Sequence, residues 1–584
     1  MTQTSRMLQQ IMEGSASSDT RAKETLPQRE HLLAAWISSN WVLSPFLFTL
    51  ALGFNLYRLG TPSIWFDEAF SVELARQPLP LLWHIIFGLE PNMELYYLLL
   101  HGWLAVTGML GQHSTEFVVR LPSAIFAALS TVVVFLLGRR FLTMPAGLVA
   151  AGLYLLNDLQ LVYAQQARSY SLQLLLTCIA WYAFFAAITG ESYAKRWWMC
   201  YIGATTLAVY THLFSLFILL AQLCFFSGML LLSKPWEPWR SKMRRQVLWL
   251  FISLAAIDVL IIPVLLVGLQ GSKTGWLLAP HLRDIALLLL SISGDSKIYL
   301  FVLVACCIAG LFLATLAYFS RSISLPIRIT WISGTDGKCR AELQQFLPIG
   351  LALLCWLIVP VVASYIVSQG SPRLFSSRYL VTIVPPLFLL VGMGVAGLRW
   401  YRIQMLLAVG LLALALSVVP LYYRSAQVED WNAASFWLEH HYQVGDGLVC
   451  YDNAVEQGCQ ISIEYYLHAY PSTAYFTSDS PGAFSWATFS SARPDAAVDP
   501  TVLASYGAKH PRIFFIVGRL SDNTAVARTK SAQSWLDNHY HFVAQIVTRT
   551  VTVRLYTTDR IEMTRFIAPQ EVFHDSGERR FAES

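Results

Sequence analysis

The first 420 positions alternate between long apolar runs and short polar breaks, and after about position 425 the long runs stop. A helix needs about 20 apolar residues to cross the hydrocarbon core of a bilayer. Windows of that kind fall at 41–60, 119–137, 144–161, 169–189, 197–212, 213–232, 247–268, 298–320, 346–367, 379–397 and 403–420. The pattern predicts an α-helical polytopic membrane protein with about 11 transmembrane helices. Residues 1–38 are polar and lack the apolar core and cleavage site of a signal peptide. They are expected to form a disordered cytoplasmic tail ahead of a membrane domain at 39–422.

Beyond the last window the periodicity is that of a soluble domain at 423–560, with a polar tail at 561–584. Helical patterning in Trp431–His441, Ile461–Tyr470 and Thr524–His539 alternates with strand-like runs at Gly447–Tyr451, Arg512–Val517 and Phe542–Tyr556. A small α/β unit is predicted there.

Composition agrees: the chain is 55% hydrophobic and only 13% charged, well outside the range of soluble domains. The formal net charge of +5 does not point to nucleic acid, because the cations lie in short loops between apolar runs. Those loops carry Arg139 and Arg140, Lys195 and Arg196, Lys234 to Arg245, Arg321 to Arg340, and Arg399 and Arg402. Cytoplasmic loops of membrane proteins are enriched in Lys and Arg. Setting all of these loops inside requires the short segment 94–110, with His101 and several aromatics, to lie along the interface as part of a first external loop at 61–118. The N-terminus is then cytoplasmic, and the C-terminal domain lies outside a plasma (inner) membrane.

The nine cysteines follow the same division. Cys178, Cys200, Cys224, Cys306, Cys307, Cys339 and Cys355 fall in spans or cytoplasmic loops and are expected to pack as small apolar groups. Cys450 and Cys459 lie in the external domain, where a disulfide is permitted. No cysteine spacing suggests zinc.

With that topology, the polar residues that look chemical share one face. Asp67 and Glu68 directly follow a hydrophobic segment, and Glu90 and Glu94 directly precede another. Ionisable groups at membrane depth usually mark a substrate or ion path. No nucleotide-binding glycine loop, P-loop or Asp-x-Asp motif is present, so a substrate carried on a membrane lipid is the natural partner. Its chemistry needs a carboxylate to take a proton from an attacking hydroxyl, and cations to hold a phosphate leaving group. Asp67 or Glu68 supplies the first, and Arg168, Arg378 and Arg373 supply the second. Arginines at helix ends also snorkel to lipid phosphate. Asn92, Glu94, Tyr97, Gln165, Tyr170 and Tyr379 are the neighbouring candidates for substrate contact. The sequence specifies no definite cofactor and leaves metal dependence open; a divalent cation between Glu68, Glu94 and His212 is the metal option. A lone histidine at a helix boundary is more often a packing residue.

The ordered motifs Ile-Trp-Phe-Asp-Glu-Ala-Phe-Ser, Asn-Met-Glu-Leu-Tyr-Tyr, Arg-Leu-Pro-Ser-Ala, Tyr-Ala-Gln-Gln-Ala-Arg-Ser-Tyr, Tyr-Thr-His-Leu-Phe and Arg-Tyr-Leu resemble bacterial family 39 glycosyltransferases. This GT-C group includes protein O-mannosyltransferases and the lipid A aminoarabinose transferase, and the resemblance runs over about residues 40 to 450. It implies transfer of a sugar from a polyprenyl-phosphate donor to an acceptor on the outer face, with inversion at the anomeric carbon. Asp67 is then the catalytic acid/base, Glu68 its neighbour in the motif, and Arg168 and Arg378 phosphate contacts. The acceptor, whether glycan, lipid or protein, is left open. Two departures stand out. Where relatives often have His-Pro-Pro-Leu-Tyr-Tyr, this chain has Asn92-Met93-Glu94-Leu95-Tyr96-Tyr97; where they often have Gln-Glu-Ala-Arg, it has Gln165-Gln166-Ala167-Arg168. The alternative is a transporter or flippase of polyprenyl-linked sugars, for which broken helices or paired repeats with polar groups at the midplane are expected.

Overall fold

The computed structural model describes residues 40–558 except 91, 191–192, 232–236, 270–273, 275–276, 320–336, 399, 453–456, 492 and 521. The expectations for the tails at 1–38 and 561–584, and for Lys234, Arg321, Arg328 and Arg399, lie outside the described residues. The chain divides into two compact units. Residues 83–103 and 117–426, with the chain up to Thr61, form a helical unit. Residues 62–82 and 104–116 of the first loop join 427–584 in the other.

The apolar windows in the helical unit are helical, but eleven spans are not confirmed. Among the described residues, seven helices are long and apolar enough to cross a membrane, or eight if one bent pair counts as a span. Asn40–Leu56 and Ser215–Leu231 have 17 residues each, which at 1.5 Å per residue is about 26 Å against a core of about 30 Å. Ala194–Thr211 opens on Lys195 and Arg196 and carries several Thr and Tyr residues, which dilute its apolar character. The window 144–161 is broken into Met144–Leu155 and Asp158–Ala164, bent by 62°. The break is capped: the Asn157 side chain accepts the Gln160 N–H at 3.1 Å and donates to the Ile292 carbonyl at 2.7 Å.

Two helices form the interior of this unit. The windows within Ser377–Ala396 and Tyr170–Ile188 are 94% and 89% buried, against 22% for Tyr401–Ser425. Trp181 stacks on Trp356 with ring centres 5.0 Å apart. Small residues let the backbones close on each other, as in many membrane bundles: a Cβ on Gly394 would lie 2.1 Å from the Cys306 carbonyl oxygen, and one on Gly310 would lie 2.8 Å from the Gly394 backbone.

The second unit holds a four-stranded sheet in the order β1-β4-β6-β5, made of β1 Gly447–Tyr451, β4 Arg512–Val517, β5 His541–Val547 and β6 Thr552–Thr557. β1 and β4 run parallel, and β6 is antiparallel to both β4 and β5. β2 (484–485) and β3 (490–491) form a separate small hairpin. Val449, Tyr451, Ile513, Phe515, Leu503 and Leu536 close the core, and Cys450 is bonded to Cys459.

Replacing Gly394 with Leu will drive a side chain into the Cys306 backbone. It should lower stability by about 1–3 kcal/mol, while Gly410→Leu, with open space around it, should not. Thermal unfolding of the two purified variants in one detergent measures the difference.

Candidate active site

In the helical unit, Tyr170 opens the interior helix Tyr170–Ile188, and Arg168 stands just before it with its guanidinium 5.9 Å from the Tyr170 ring centre. Arg378 and Tyr379 belong to the first turn of the other interior span. His212 follows Ala194–Thr211 and brings the two ends together: its ring lies 5.8 Å from Tyr170 and 5.0 Å from Tyr379, and both Arg168 and Arg378 act on it electrostatically. Tyr163, which sequence reasoning passed over, packs 4.7 Å from Tyr170 and feels the charge of Arg378. Its signal was the Tyr-x6-Tyr spacing around the Gln-Gln-Ala-Arg turn.

Asn92 reaches this cluster from the first loop. Its side-chain oxygen accepts the Leu213 N–H at 3.0 Å, and its nitrogen lies 3.4 Å from His212 Nε2. Asn92 and Met93 have φ of 105° and 79°, a region that Asn tolerates and most side chains avoid. The Asn92 N–H in turn donates to Glu94 Oε1 at 3.0 Å. Glu94 is fully buried, and its other oxygen has no hydrogen-bond partner among the described residues. Burial pushes its pKa up from 4.5 to about 7 against the opposing backbone bond from Asn92.

The remaining candidates differ in kind. Gln165 is committed to the scaffold: its amide nitrogen donates to the Asn55 and Tyr57 carbonyls at 2.9 and 2.8 Å, and its oxygen accepts from the Tyr422 hydroxyl at 2.8 Å. Arg373 bonds locally to the Gly370 carbonyl at 2.9 Å. Tyr97 is buried, with its hydroxyl 3.9 Å from the Met93 sulfur.

Asp67 and Glu68 lie in the second unit, in the first turn of helix Phe66–Arg76. The partial positive charge of a helix N-terminus favours carboxylates there. Glu68 is fully buried, whereas Asp67 is partly exposed. The helix is tied down at its far end, where Glu73 pairs with Arg76 and with His468 Nδ1 at 2.7 Å. That contact draws the His468 pKa upward, and burial raises Glu464 to about 7. At its near end, Glu429 accepts the Phe66 N–H at 3.0 Å and Trp431 Nε1–H at 2.6 Å. Sequence reasoning missed Glu429, although an acid directly after the last span and before a Trp-led helix marked it.

Among the described residues, no three His, Cys, Asp or Glu side chains are grouped to hold a metal ion. Of the proposed metal set, Glu94 and His212 belong to the helical unit and Glu68 to the other. Arg168, Tyr170, His212, Arg378 and Tyr379 do converge, with Asn92 beside them.

Residues 98–266 match the family model described as dolichyl-phosphate-mannose-protein mannosyltransferase. The match covers a little under a third of the chain and lies within the helical unit and the first loop. ArnT from Cupriavidus metallidurans bound to undecaprenyl phosphate has a similar fold: TM-score 0.55 at 12% identity, over 88% of this chain and 98% of that one. Its apo state gives 0.56 at 13%, over 91% and 99%. No curated protein matches by sequence. The fold and the long apolar helices are those of a multi-pass membrane protein.

Glu94 gives a pH signature. The folded chain holds its proton to higher pH than the unfolded chain, so this contribution to stability is complete below pH 4.5 and is lost as pH rises through about 7. Glu94→Gln should remove that loss, which amounts to on the order of 3 kcal/mol at full burial. Thermal midpoints at about pH 5 and about pH 8 should diverge for the wild type and stay close for the variant.

Proposed function

We propose that this protein transfers a sugar from a polyprenyl-phosphate donor to an acceptor hydroxyl at the outer face of the plasma membrane, with the C-terminal α/β domain outside and the N-terminus in the cytoplasm. The observation that carries the reading is the meeting of Arg168 and Arg378 at the N-terminal ends of the two most buried spans, around His212. Two guanidinium groups and two helix N-termini form a site for a phosphate. Such a site accounts for arginines placed at the helix end where the dipole disfavours cations.

In this reading Arg168 and Arg378 hold the lipid phosphate before transfer and stabilise its charge as it leaves. Tyr170, Tyr379, Asn92 and Glu94 border that phosphate position and contact the donor. Asp67 removes the proton from the acceptor hydroxyl, which attacks the anomeric carbon as the bond to phosphate breaks, inverting its configuration. Glu68, buried behind Asp67, supports the motif instead of touching substrate. ArnT, the structural neighbour bound to undecaprenyl phosphate, supports a lipid phosphate as the leaving group. The bent pair at Leu155–Asp158 is the broken helix that a transporter would have. Asn157 closes that break with two hydrogen bonds, and the match of residues 98–266 to a glycosyltransferase family model favours the enzyme.

Asp67→Asn keeps the side-chain shape and removes the base. It should abolish transfer of radiolabel from undecaprenyl-phosphate-linked hexose and pentose donors into membrane acceptors, while expression and donor binding persist. Normal turnover in that variant would remove Asp67 from the mechanism.

Arg378→Ala should raise KM for the same donor on the order of tenfold or more, as the loss of a charge-assisted phosphate contact implies. A donor KM unchanged from wild type would mean that this arginine only snorkels to lipid headgroups.

A further inference from the structure

The second unit contains a feature that the family match does not reach. Segment 63–68, which ends in Asp67 and Glu68, has little regular structure ahead of its helix, yet residues from beyond position 428 fix it at successive points. The Tyr466 hydroxyl accepts the Ile64 N–H at 2.9 Å, lies 3.0 Å from the Ser63 hydroxyl and donates to Glu116 Oε1 at 2.9 Å. Ser63 Oγ accepts the Asn432 N–H at 3.1 Å. Phe66 sits against Gly458, where a Cβ would come within 2.8 Å of its ring. The last point is Glu429, which takes the Phe66 N–H immediately before Asp67.

A helix leaves its first N–H groups without partners inside the helix, and the usual solution is a capping side chain from the preceding residue. Trp65 has no acceptor to offer, and its side chain makes no capping hydrogen bond. Glu429 supplies the missing acceptor from more than 360 residues away. Its carboxylate is itself oriented by Trp431 Nε1–H at 2.6 Å and is mostly buried. The charges bearing on it are Asp67, which repels it, and Arg519, which attracts it. A buried carboxylate close to a second one is costly unless its hydrogen bonds compensate, so its place here needs a function.

We propose that Glu429 is a positioning residue for Asp67: it holds the first turn of helix Phe66–Arg76 by accepting the Phe66 N–H, which makes the C-terminal domain part of the catalytic apparatus. This rests on the reading of Asp67 as the base. A displacement of about 1 Å at a reacting group can cost on the order of 100-fold in rate, and one anchored N–H beside the base can produce such a displacement.

The test uses the full chain in detergent and the undecaprenyl-phosphate-linked sugar that the wild type consumes from a panel of hexose and pentose donors. Glu429→Ala should lower kcat at least about tenfold with donor KM within about twofold, because geometry at the base is lost while phosphate binding is kept. Glu429→Gln retains an oxygen acceptor for Phe66 and should restore kcat to within about threefold of wild type. Hydrogen exchange of the peptide covering 63–70, read by mass spectrometry, should quicken in the Ala variant and not in the Gln variant, whether or not either is active. Wild-type kcat or unchanged exchange in Glu429→Ala would overturn the proposal, as would a Gln variant as impaired as Ala. Asp67→Asn run in parallel separates the two ideas: an active Asp67→Asn removes the base assignment, whereas an inactive one beside a fully active Glu429→Ala removes only the role of Glu429.

Discussion

Positive charge at the wrong end of two buried helices is the constraint on which the helical unit depends. The N-terminus of a helix already carries about half a positive elementary charge, and Arg168 and Arg378 add theirs at the ends of the two most interior spans. Left without an anion, such an arrangement is unfavourable in a medium that screens poorly. The rings of Tyr163, Tyr170, Tyr379 and His212 pack against one another around it, and Arg168 lies over the face of Tyr170. A cation over an aromatic face gains about 0.5–2 kcal/mol, too little to neutralise two charges.

The second unit uses the same physics with the opposite sign. Asp67 and Glu68 occupy the first turn of their helix, where negative charge is favoured. The difficulty there is mechanical: a short helix preceded by an irregular segment has no local cap, and its orientation must come from outside. Glu429, Tyr466 and the Glu73–His468 pair supply it from the C-terminal part of the chain.

Much of this was legible in the sequence because the signals were periodic or chemically rare. β1 and β4 fall where the apolar β-branched runs put them, and Trp431–His441 is a helix over the expected residues. Arg168, Arg378, His212 and Asn92 stood out as polar groups at the ends of apolar runs, and the fold gathers them. The span count is not confirmed for a physical reason: hydropathy sees apolar content but neither a helix of 17 residues nor a 62° break after Leu155. Gln165 looked chemical because amides often bind sugars, yet its amide ties together Asn55, Tyr57 and Tyr422. The partners of Glu429 and Tyr466 could not be found by pattern, since each acts on a residue more than 360 positions distant.

The departure at Asn92-Met93-Glu94 bears on how far relatives can guide the sugar site. Relatives that read His-Pro-Pro there place proline at the positions of Met93 and Glu94, and proline holds φ near −65°. Met93 has φ of 79°, so a proline could not stand in its place without refolding the turn. The loop is therefore rebuilt, not merely substituted. The rebuilding turns the Asn92 amide onto residues 212–213 and places a buried carboxylate at the head of helix Glu94–Met109. The Glu94 carboxylate is a hydrogen-bonding partner that a proline could never offer. Whatever sugar this chain handles, its contacts along this edge must be argued from Asn92 and Glu94 themselves, and a preference carried over from a His-Pro-Pro enzyme has no side chain here to enforce it.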